Sequence, residues 1–522
     1  MSSKLKRLTV VVIMVTAVVM AFAGPAFGAD PKPVYQTPAV APGDVGVSLN
    51  LLWVIIGAVL VIFMQAGFAL VETGFCRAKH AAHVMSTNFA IFGLGFIGFF
   101  VVGYGLMFGG FSYPGYFGMD GATGGPLVGS GNWVFLWHGG FALTNLHGLK
   151  NVAPVAAFFL YMVAFMDTVG TIPTGAMAER WKWKSFIGWG LFCGAIYYPL
   201  FGAWTWGGGW LAKLGLSSDL GFGYVDFAGS GVVHAVGGVA ALAGAIILGS
   251  RIGRFGADGK PKTLGAHNIP MAILGTFILL IGWFGFNAAS TFGATDVRFA
   301  VVATNTAIAG AFGSIAAMFY VMKRMGKPDP GMMANGMLAG LVAITAPCAF
   351  VQPWAAAVIG VIAAIIVIES VFFWERRGID DPVGAISVHG VGGIFGVLCV
   401  GIFSSGEYGQ LWNGTDHGAA GVTGILYDFD LGIRQLGSQA IGALVICTVI
   451  FGIAYGFFKI QNAMTKGGIR SEADHEIMGL DLPEMGVLAY DNLSLNELDI
   501  VGTEGSEMAL SGGPSPDPTI GR

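Results

Sequence analysis

Apolar runs of about twenty residues recur along this chain, and shorter polar stretches separate them. Because an α-helix needs about twenty apolar residues to cross the hydrocarbon core of a bilayer, each run predicts a membrane-spanning helix. The prediction is an all-α polytopic membrane protein with eleven transmembrane helices. The runs lie near 50–74, 87–110, 152–176, 185–205, 226–250, 268–289, 299–323, 332–350, 354–374, 385–404 and 435–459.

The two ends of the chain have a different pattern. A basic start, an apolar stretch and a small-residue end predict a cleavable signal peptide over 1–29, with an uncleaved first span as the alternative. A short external segment over 30–48 precedes the eleven-helix domain at 49–460. A cytoplasmic regulatory tail follows over 461–522, and its polar end from about Asn492 is predicted to be disordered.

Basic residues indicate the orientation of the predicted helices. With the signal removed, the N-terminus lies outside and an odd number of spans leaves the C-terminus inside. The segments assigned to the inside then hold seventeen lysines and arginines, and the external segments hold five. This asymmetry follows the positive-inside rule and predicts a multi-pass protein of the bacterial inner (plasma) membrane.

The composition excludes several classes of function. Hydrophobic residues make up 55% of the chain and charged residues 11%, which is about half of the charged fraction of a soluble domain. The net charge of -4 and the lack of a basic cluster argue against nucleic acid as a partner. The sequence contains no nucleophile elbow, P-loop or metal-ligand spacing, so we predict neither an enzyme nor a cofactor or bound metal.

One pattern occurs twice, in the fifth and tenth predicted spans. Each copy reads aspartate, seven residues, histidine, two residues and a glycine pair: Asp226, His234 and Gly237-Gly238 in the first, and Asp381, His389 and Gly392-Gly393 in the second. Because five crossings separate the copies, they run in opposite directions through the membrane. This predicts two inverted five-helix repeats, about 50–250 and 268–404, plus one last helix at 435–459.

The spacing within the repeat predicts where the side chains lie. Eight residues of helix rise about 12 Å, so the two aspartates lie near opposite surfaces and His234 and His389 meet near the midplane. Two symmetry-related ionisable groups at this depth indicate a pathway rather than an isolated structural hydrogen bond. We interpret Asp226 and Asp381 as N-caps of their helices, with direct substrate contact as the alternative.

The repeat, together with Gly-Ala-Met-Ala-Glu-Arg at 175–180 and Gly-Trp-Phe-Gly-Phe-Asn-Ala at 282–288, resembles the Amt branch of the ammonium transporter/Rhesus family. The resemblance extends over about Leu49 to Tyr490. It implies a homotrimer of eleven-span subunits in the lipid bilayer, each with its own pore.

The resemblance also implies roles for four aromatic and hydroxyl residues. Trp206, Phe165 and Ser290 match an external vestibule that binds ammonium, where aromatic rings attract a cation and a hydroxyl accepts a hydrogen bond. Phe165 and Phe286 match the two stacked rings of a gate.

Two residues depart from the commoner family pattern. Tyr161 stands where phenylalanine is usual, and Asp167 follows the gate phenylalanine by two residues. Asp167 is a carboxylate inside the membrane, which either pairs structurally or alters the charge of the vestibule.

The function that the resemblance implies is ammonium transport for nitrogen utilisation. Because burying a cation in an apolar tube is costly, ammonium loses its proton near the entrance and ammonia passes the twin-histidine pore, with the proton moving separately. An ammonium sensor on the same scaffold and a Rhesus-like channel for neutral gas are the alternatives. The tail segment 479–490 implies control by a PII-type signalling protein at the cytoplasmic face.

Overall fold

Long helices dominate the computed structural model, which describes residues 45–111, 117, 123–144 and 152–490. Within these residues, ten helices are long and apolar enough to cross a membrane, and an eleventh apolar helix has 15 residues. In chain order the eleven are α1 Val45–Phe75, α2 Ala78–Phe108, α3 Val152–Met177, α4 Trp183–Trp204, α5 Ser230–Leu248, α6 Ile269–Thr291, α7 Arg298–Met325, α8 Pro330–Ile344, α9 Pro353–Arg376, α10 Ile386–Phe403 and α11 Phe429–Met464.

The structure confirms the all-α membrane fold: ten predicted spans correspond to helices long enough to cross a membrane, and the eighth corresponds to the shorter α8. The difference lies in α8, which ends at Ile344 although its apolar run continues to 350. Pro347 lies just beyond the end and disfavours a helical conformation in the residue before it. The carbonyls of Thr345 and Ala346 instead accept the amides that precede α5, so this buried irregular backbone is satisfied within the protein.

The first long loop contains a β-hairpin, where the sequence predicted only a connection. Strand β1 (Gly125–Ser130) pairs antiparallel with β2 (Trp133–His138). The carbonyl of Phe135 accepts a hydrogen bond of 3.0 Å from Trp204 Nε1, which ties the hairpin to the end of α4. The hairpin therefore forms part of the surface on this side, which we call the vestibule side.

Three predicted segments lie outside the described residues. These are the signal peptide at 1–29, nearly all of the external segment at 30–48, and the end of the tail beyond Tyr490.

The two repeat helices α5 and α10 make an unusually close contact. A Cβ on Gly238 would lie 2.1 Å from the amide nitrogen of Gly390, and a Cβ on Gly393 would lie 2.4 Å from the carbonyl oxygen of Ser230. Glycine is therefore required at Gly238 and Gly393 for the backbones to approach. Each helix also begins with a wide π-turn, Ser230–Ala235 and Ile386–Val391, and each turn contains one of the two histidines.

Buried ion pairs join the helix ends on the opposite side. Glu179 contacts Arg77 at 2.6 Å and Arg251 at 3.0 Å, and Arg251 also contacts Asp380 at 2.8 Å. Burial alone would raise the pKa of Glu179, but nearby positive charges, Arg251 above all, hold that pKa well below its usual range. The ends of α1, α3, α5 and α9 thus share one buried network.

The first part of the tail packs against this same side, which we call the tail side. Arg470 donates to the carbonyl of Leu248 at the end of α5 and forms an ion pair of 2.8 Å with the buried Glu476. Further along, Asp481 Oδ1 accepts the amide of His83 at 2.9 Å, in the first turns of α2. Residues 470–481 therefore connect two helix ends that are distant in the sequence.

Replacing Glu179 by glutamine tests the importance of this network. The change leaves Arg77 buried without its counter-charge and removes one of the two carboxylates that pair with Arg251, which we expect to cost about 3–5 kcal/mol of the free energy of unfolding. In detergent, the apparent melting temperature should fall by several degrees.

The control is Asp258→Asn, which removes the exposed ion pair between Asp258 and Lys260. It should change the free energy of unfolding by no more than about 0.5 kcal/mol. Equal melting temperatures for Glu179→Gln and the parent would contradict a stabilising role for the network.

Candidate functional site

A cavity of about 550 Å³ opens on the vestibule side, between the hairpin and the ends of the central helices. Its wall combines aromatic rings with a few polar groups. Among the residues that line it are Phe158, Phe165, Trp206, Phe227, Trp137, Thr205, Asp226, Ser290 and Arg298. The structure thus brings together Trp206, Phe165 and Ser290, which come from three different helices or loops.

Trp206 is held in place at this wall by a hydrogen bond. Its Nε1 donates to the carbonyl oxygen of Asp226 at 2.6 Å, and its half-buried ring meets Phe165 edge to face at 5.8 Å between centroids. The two rings thus contact each other at the wall of the cavity, and aromatic rings are groups that attract a small cation.

Ser290 lines the same cavity as these rings, and its hydroxyl donates a hydrogen bond within its own helix. Its Oγ donates to the carbonyl of Phe286 at 2.8 Å, so its remaining capacity is that of an acceptor. The hydroxyl of Tyr161 lies 3.1 Å from Ser290 Oγ and 2.9 Å from the carbonyl oxygen of Gly285. Tyr161 thus orients the serine, a contact that the sequence indicated only as a departure from the family pattern.

Below the vestibule, two phenylalanine rings block the way. Phe165 and Phe286 stack with centroids 4.0 Å apart and an interplanar angle of 22°, and both side chains are fully buried. This separation leaves no space between the rings.

His234 and His389 lie directly beyond the second ring. The Nδ1 atoms of the two imidazoles are 3.1 Å apart, which is hydrogen-bond distance, so one nitrogen carries the shared proton and the other accepts it. The ring of His234 also contacts those of Phe286 and Trp283, with centroids 5.3 Å and 5.1 Å away, and these two rings lie 6.0 Å from each other. Its Nε2 is buried and has no hydrogen-bond partner among the described residues.

The two aspartates of the repeat satisfy backbone amides. Asp226 accepts the amides of Gly229, Gly231 and Val232, each at 2.8 Å. Burial raises the pKa of Asp226 to about 6, and these hydrogen bonds act in the opposite direction.

Asp381 has the corresponding position at the start of α10. It accepts the amides of Gly384 at 3.0 Å and Ile386 at 2.7 Å. Each helix begins several residues after its aspartate, whereas a regular N-cap residue directly precedes the first helical residue. The two carboxylates thus cap the start of the helix from a position farther back in the sequence.

The line of aromatic rings continues on the other side of the histidine pair. The rings of Phe68 and His389 lie 6.0 Å apart between centroids. Both residues line a small cavity, in which the centre of a water-sized molecule can occupy a volume of about 20 Å³. We call it the tail-side cavity. Glu72 and Asn335 contribute its polar wall. The sequence analysis missed Glu72, although a carboxylate inside the first predicted span is a signal that a search for intramembrane charges would find.

Asp167 follows neither of the two possibilities considered from the sequence. Its side chain is buried, it forms none of the ion pairs found among the described residues, and it does not line the vestibule. Its Oδ1 has no hydrogen-bond partner in the part of the chain that the structure describes.

Comparisons with known proteins identify the family of this chain. The model of the Ammonium Transporter Family matches residues 52–490. Ammonium transporter Amt2 of Archaeoglobus fulgidus is 42% identical over 455 residues, which is 87% of this chain and 90% of the relative. Ammonium transporter Amt1 of Haloferax mediterranei is 34% identical over 86% of this chain and 81% of its own length.

Solved structures resemble the fold over a similar length. One described as a sensor Amt protein is 35% identical, with a TM-score of 0.71, and the match covers 85% of this chain and 99% of that chain. Candida albicans Mep2 is 27% identical, with a TM-score of 0.68, over 85% of this chain and 90% of its own. The match of the family model over most of the described helices, together with these relatives, shows that this chain belongs to the Ammonium Transporter Family.

Proposed function

We propose that this protein transports ammonium by taking up the cation in the vestibule, removing its proton, and conducting ammonia past His234 and His389. The observation that carries the proposal is the unbroken sequence of groups from Trp206 through the phenylalanine gate to the histidine pair. The names of its relatives support ammonium as the substrate.

Uptake begins at the vestibule wall. Rings at fixed positions attract a monovalent cation through their negative faces, while Ser290 Oγ accepts one of its hydrogen bonds. A neutral gas would gain little from this arrangement, so the wall favours ammonium recruitment over a channel for neutral gas.

Proton loss is the cheaper way through the gate. An unpaired cation in an apolar passage costs of the order of tens of kcal/mol, whereas neutral ammonia costs far less. The buried phenylalanines offer no counter-charge, so we propose that the cation loses its proton on the vestibule side of Phe286.

The histidine pair then interacts with both products of this step, ammonia and the released proton. The free Nε2 of His234 offers ammonia a hydrogen bond, and the proton shared across the 3.1 Å contact gives the separated proton a place to move. We propose that net charge crosses with each nitrogen because both products reach the tail side.

Further proposals concern the surroundings of the transporter. We propose a bacterial inner membrane location, with the vestibule outside and residues 461–522 inside as the regulatory tail.

A PII-type protein would bind the tail side. Absence of binding between a PII-type protein and the reconstituted transporter, with and without nucleotide, would contradict that partner.

A homotrimer is the proposed assembly. Large apolar side chains on α1 and α7, such as Phe63, Phe312 and Phe319, are 47–61% exposed, so they require lipid or a neighbouring subunit as cover. Native mass measurement in detergent should give three chain masses. A single chain mass at working concentration would contradict the trimer.

His234→Ala tests the pore directly. The change removes both the shared proton position and the free Nε2, so the current evoked by an ammonium pulse on reconstituted membranes should fall at least tenfold or change its ion selectivity. His475→Ala, in the tail, is the control and should keep the parental current. If the parent binds ammonium but gives no current, the sensor function suggested by one solved relative becomes the better proposal.

Trp206→Leu tests the vestibule. Loss of the ring removes a cation–π contribution of about 0.5–2 kcal/mol, so the ammonium concentration for half-maximal current should rise about 2- to 30-fold. Trp206→Phe keeps a ring but loses the hydrogen bond to Asp226, and should lie between the parent and the leucine variant. An unchanged half-maximal concentration in Trp206→Leu would place cation recruitment elsewhere.

A further inference from the structure

The tail-side cavity contains a buried carboxylate that the transport scheme above does not use. Glu72 belongs to α1, is 2% exposed, and lines the same cavity as His389. The cavity has space for about one molecule of the size of water or ammonia. A molecule that leaves the histidine pair on this side therefore meets Glu72.

Within the part of the chain that the structure describes, no positive charge pairs with this carboxylate. Glu72 takes part in none of the ion pairs found among the described residues, and its strongest contacts are with the neutral groups Asn88 and Thr174. The ionisable groups that face it are Asp381 at the start of α10, Cys76 on its own helix, and His389 across the cavity. Inside a membrane, a carboxylate without a counter-charge usually marks an ion or proton pathway.

The hydrogen bonds around Glu72 suit both of its protonation states. Thr174 Oγ1 lies 2.9 Å and 2.8 Å from the two carboxylate oxygens, and 2.6 Å from the carbonyl oxygen of Thr171. A hydroxyl donates only one proton at a time. It donates to Glu72 when the carboxylate is ionised, and to Thr171 when Glu72 is protonated and itself becomes the donor.

This switch requires only the rotation of one hydroxyl. The remaining contact, from Asn88 Nδ2 to Glu72 Oε2 at 2.6 Å, stays in place in either state. Asn88 is in turn fixed by Gln65, whose Nε2 lies 2.6 Å from the carbonyl oxygen of Asn88. Both protonation states of Glu72 thus have hydrogen-bond partners in this arrangement of side chains.

We propose that Glu72 is the proton-exchange residue on the tail side of the pore, where it returns a proton to each ammonia molecule that arrives from His389. This inference rests on the proposed transport of ammonia and proton by separate routes. It adds the chemical step that ends the passage.

The step balances in atoms and charge. Protonated Glu72 gives its proton to ammonia, which leaves as ammonium, and the carboxylate remains. The proton that ammonium released at the vestibule then reaches Glu72 through the histidine pair and restores the acid. One ammonium ion has crossed for each cycle, and the protein is unchanged.

A structural explanation competes with this one, because the contacts of Glu72 also join α1, α2 and α3. The two explanations differ in what they predict for pH. A joint between helices affects stability and assembly, whereas a proton-exchange residue also controls how the current depends on pH.

The experiment compares Glu72→Gln and Glu72→Asp with the parent in proteoliposomes over a range of pH, recording ammonium-evoked current and, separately, ammonia flux. Glutamine keeps the size and polarity of the side chain but cannot exchange a proton. We expect its current to fall at least tenfold and lose its pH dependence, while ammonia flux stays within about twofold of the parent. Aspartate should retain part of the current and a pH-dependent profile.

Asp167→Asn is the matched control, since it removes a second buried membrane carboxylate that lines neither the vestibule nor the tail-side cavity. It should keep the parental pH profile. Thr174→Val serves if Glu72→Gln fails to assemble, and should alter the pH profile because the rotating hydroxyl is lost.

A parental current and pH profile in Glu72→Gln would overturn the proposal, as would a parental profile in Thr174→Val if that variant has to be used. Absence of current in the parent would instead overturn the transport scheme itself. The two failures are therefore distinguishable.

Discussion

The cost of placing a charge in the apolar centre of the membrane shapes the whole structure. Within the described residues, the strongly paired charges lie at the helix ends, as in the contacts of Glu179 and Arg251. The path between the vestibule and the tail-side cavity is lined by rings and imidazoles. In such surroundings an unpaired cation costs far more free energy than a neutral molecule does.

The fold supplies that path through close contact between two equivalent helices. Gly238 and Gly393 let α5 and α10 approach until the histidines at their starts meet, with Nδ1 atoms 3.1 Å apart. The wide turns that contain His234 and His389 rotate the side chains toward each other. Packing of small residues thus has a chemical consequence, because a larger side chain at either glycine would separate the two rings.

Polar groups inside the helices fall into two kinds. Asp226 and Asp381 have their acceptors filled by fixed backbone amides, which suits a structural role at the start of a helix. Glu72 contacts a hydroxyl that can turn away from it, and faces a cavity. All three side chains are carboxylates, and the freedom of the hydrogen-bond donor distinguishes Glu72 from the two aspartates.

The sequence by itself determined the class of fold, the spans, and the twin aspartate–histidine pattern, because hydropathy and spacing along a helix are local properties. It left open how Trp206, Phe165 and Ser290 meet, since they are far apart in the chain and only packing joins them. It also predicted no hairpin at Gly125–His138 and no early end of α8, where contacts with distant backbone replace local hydrogen bonds. Only the tertiary structure showed that Glu72 faces the same cavity as His389, because the side of a helix that faces a cavity depends on its neighbours and not on its own residues.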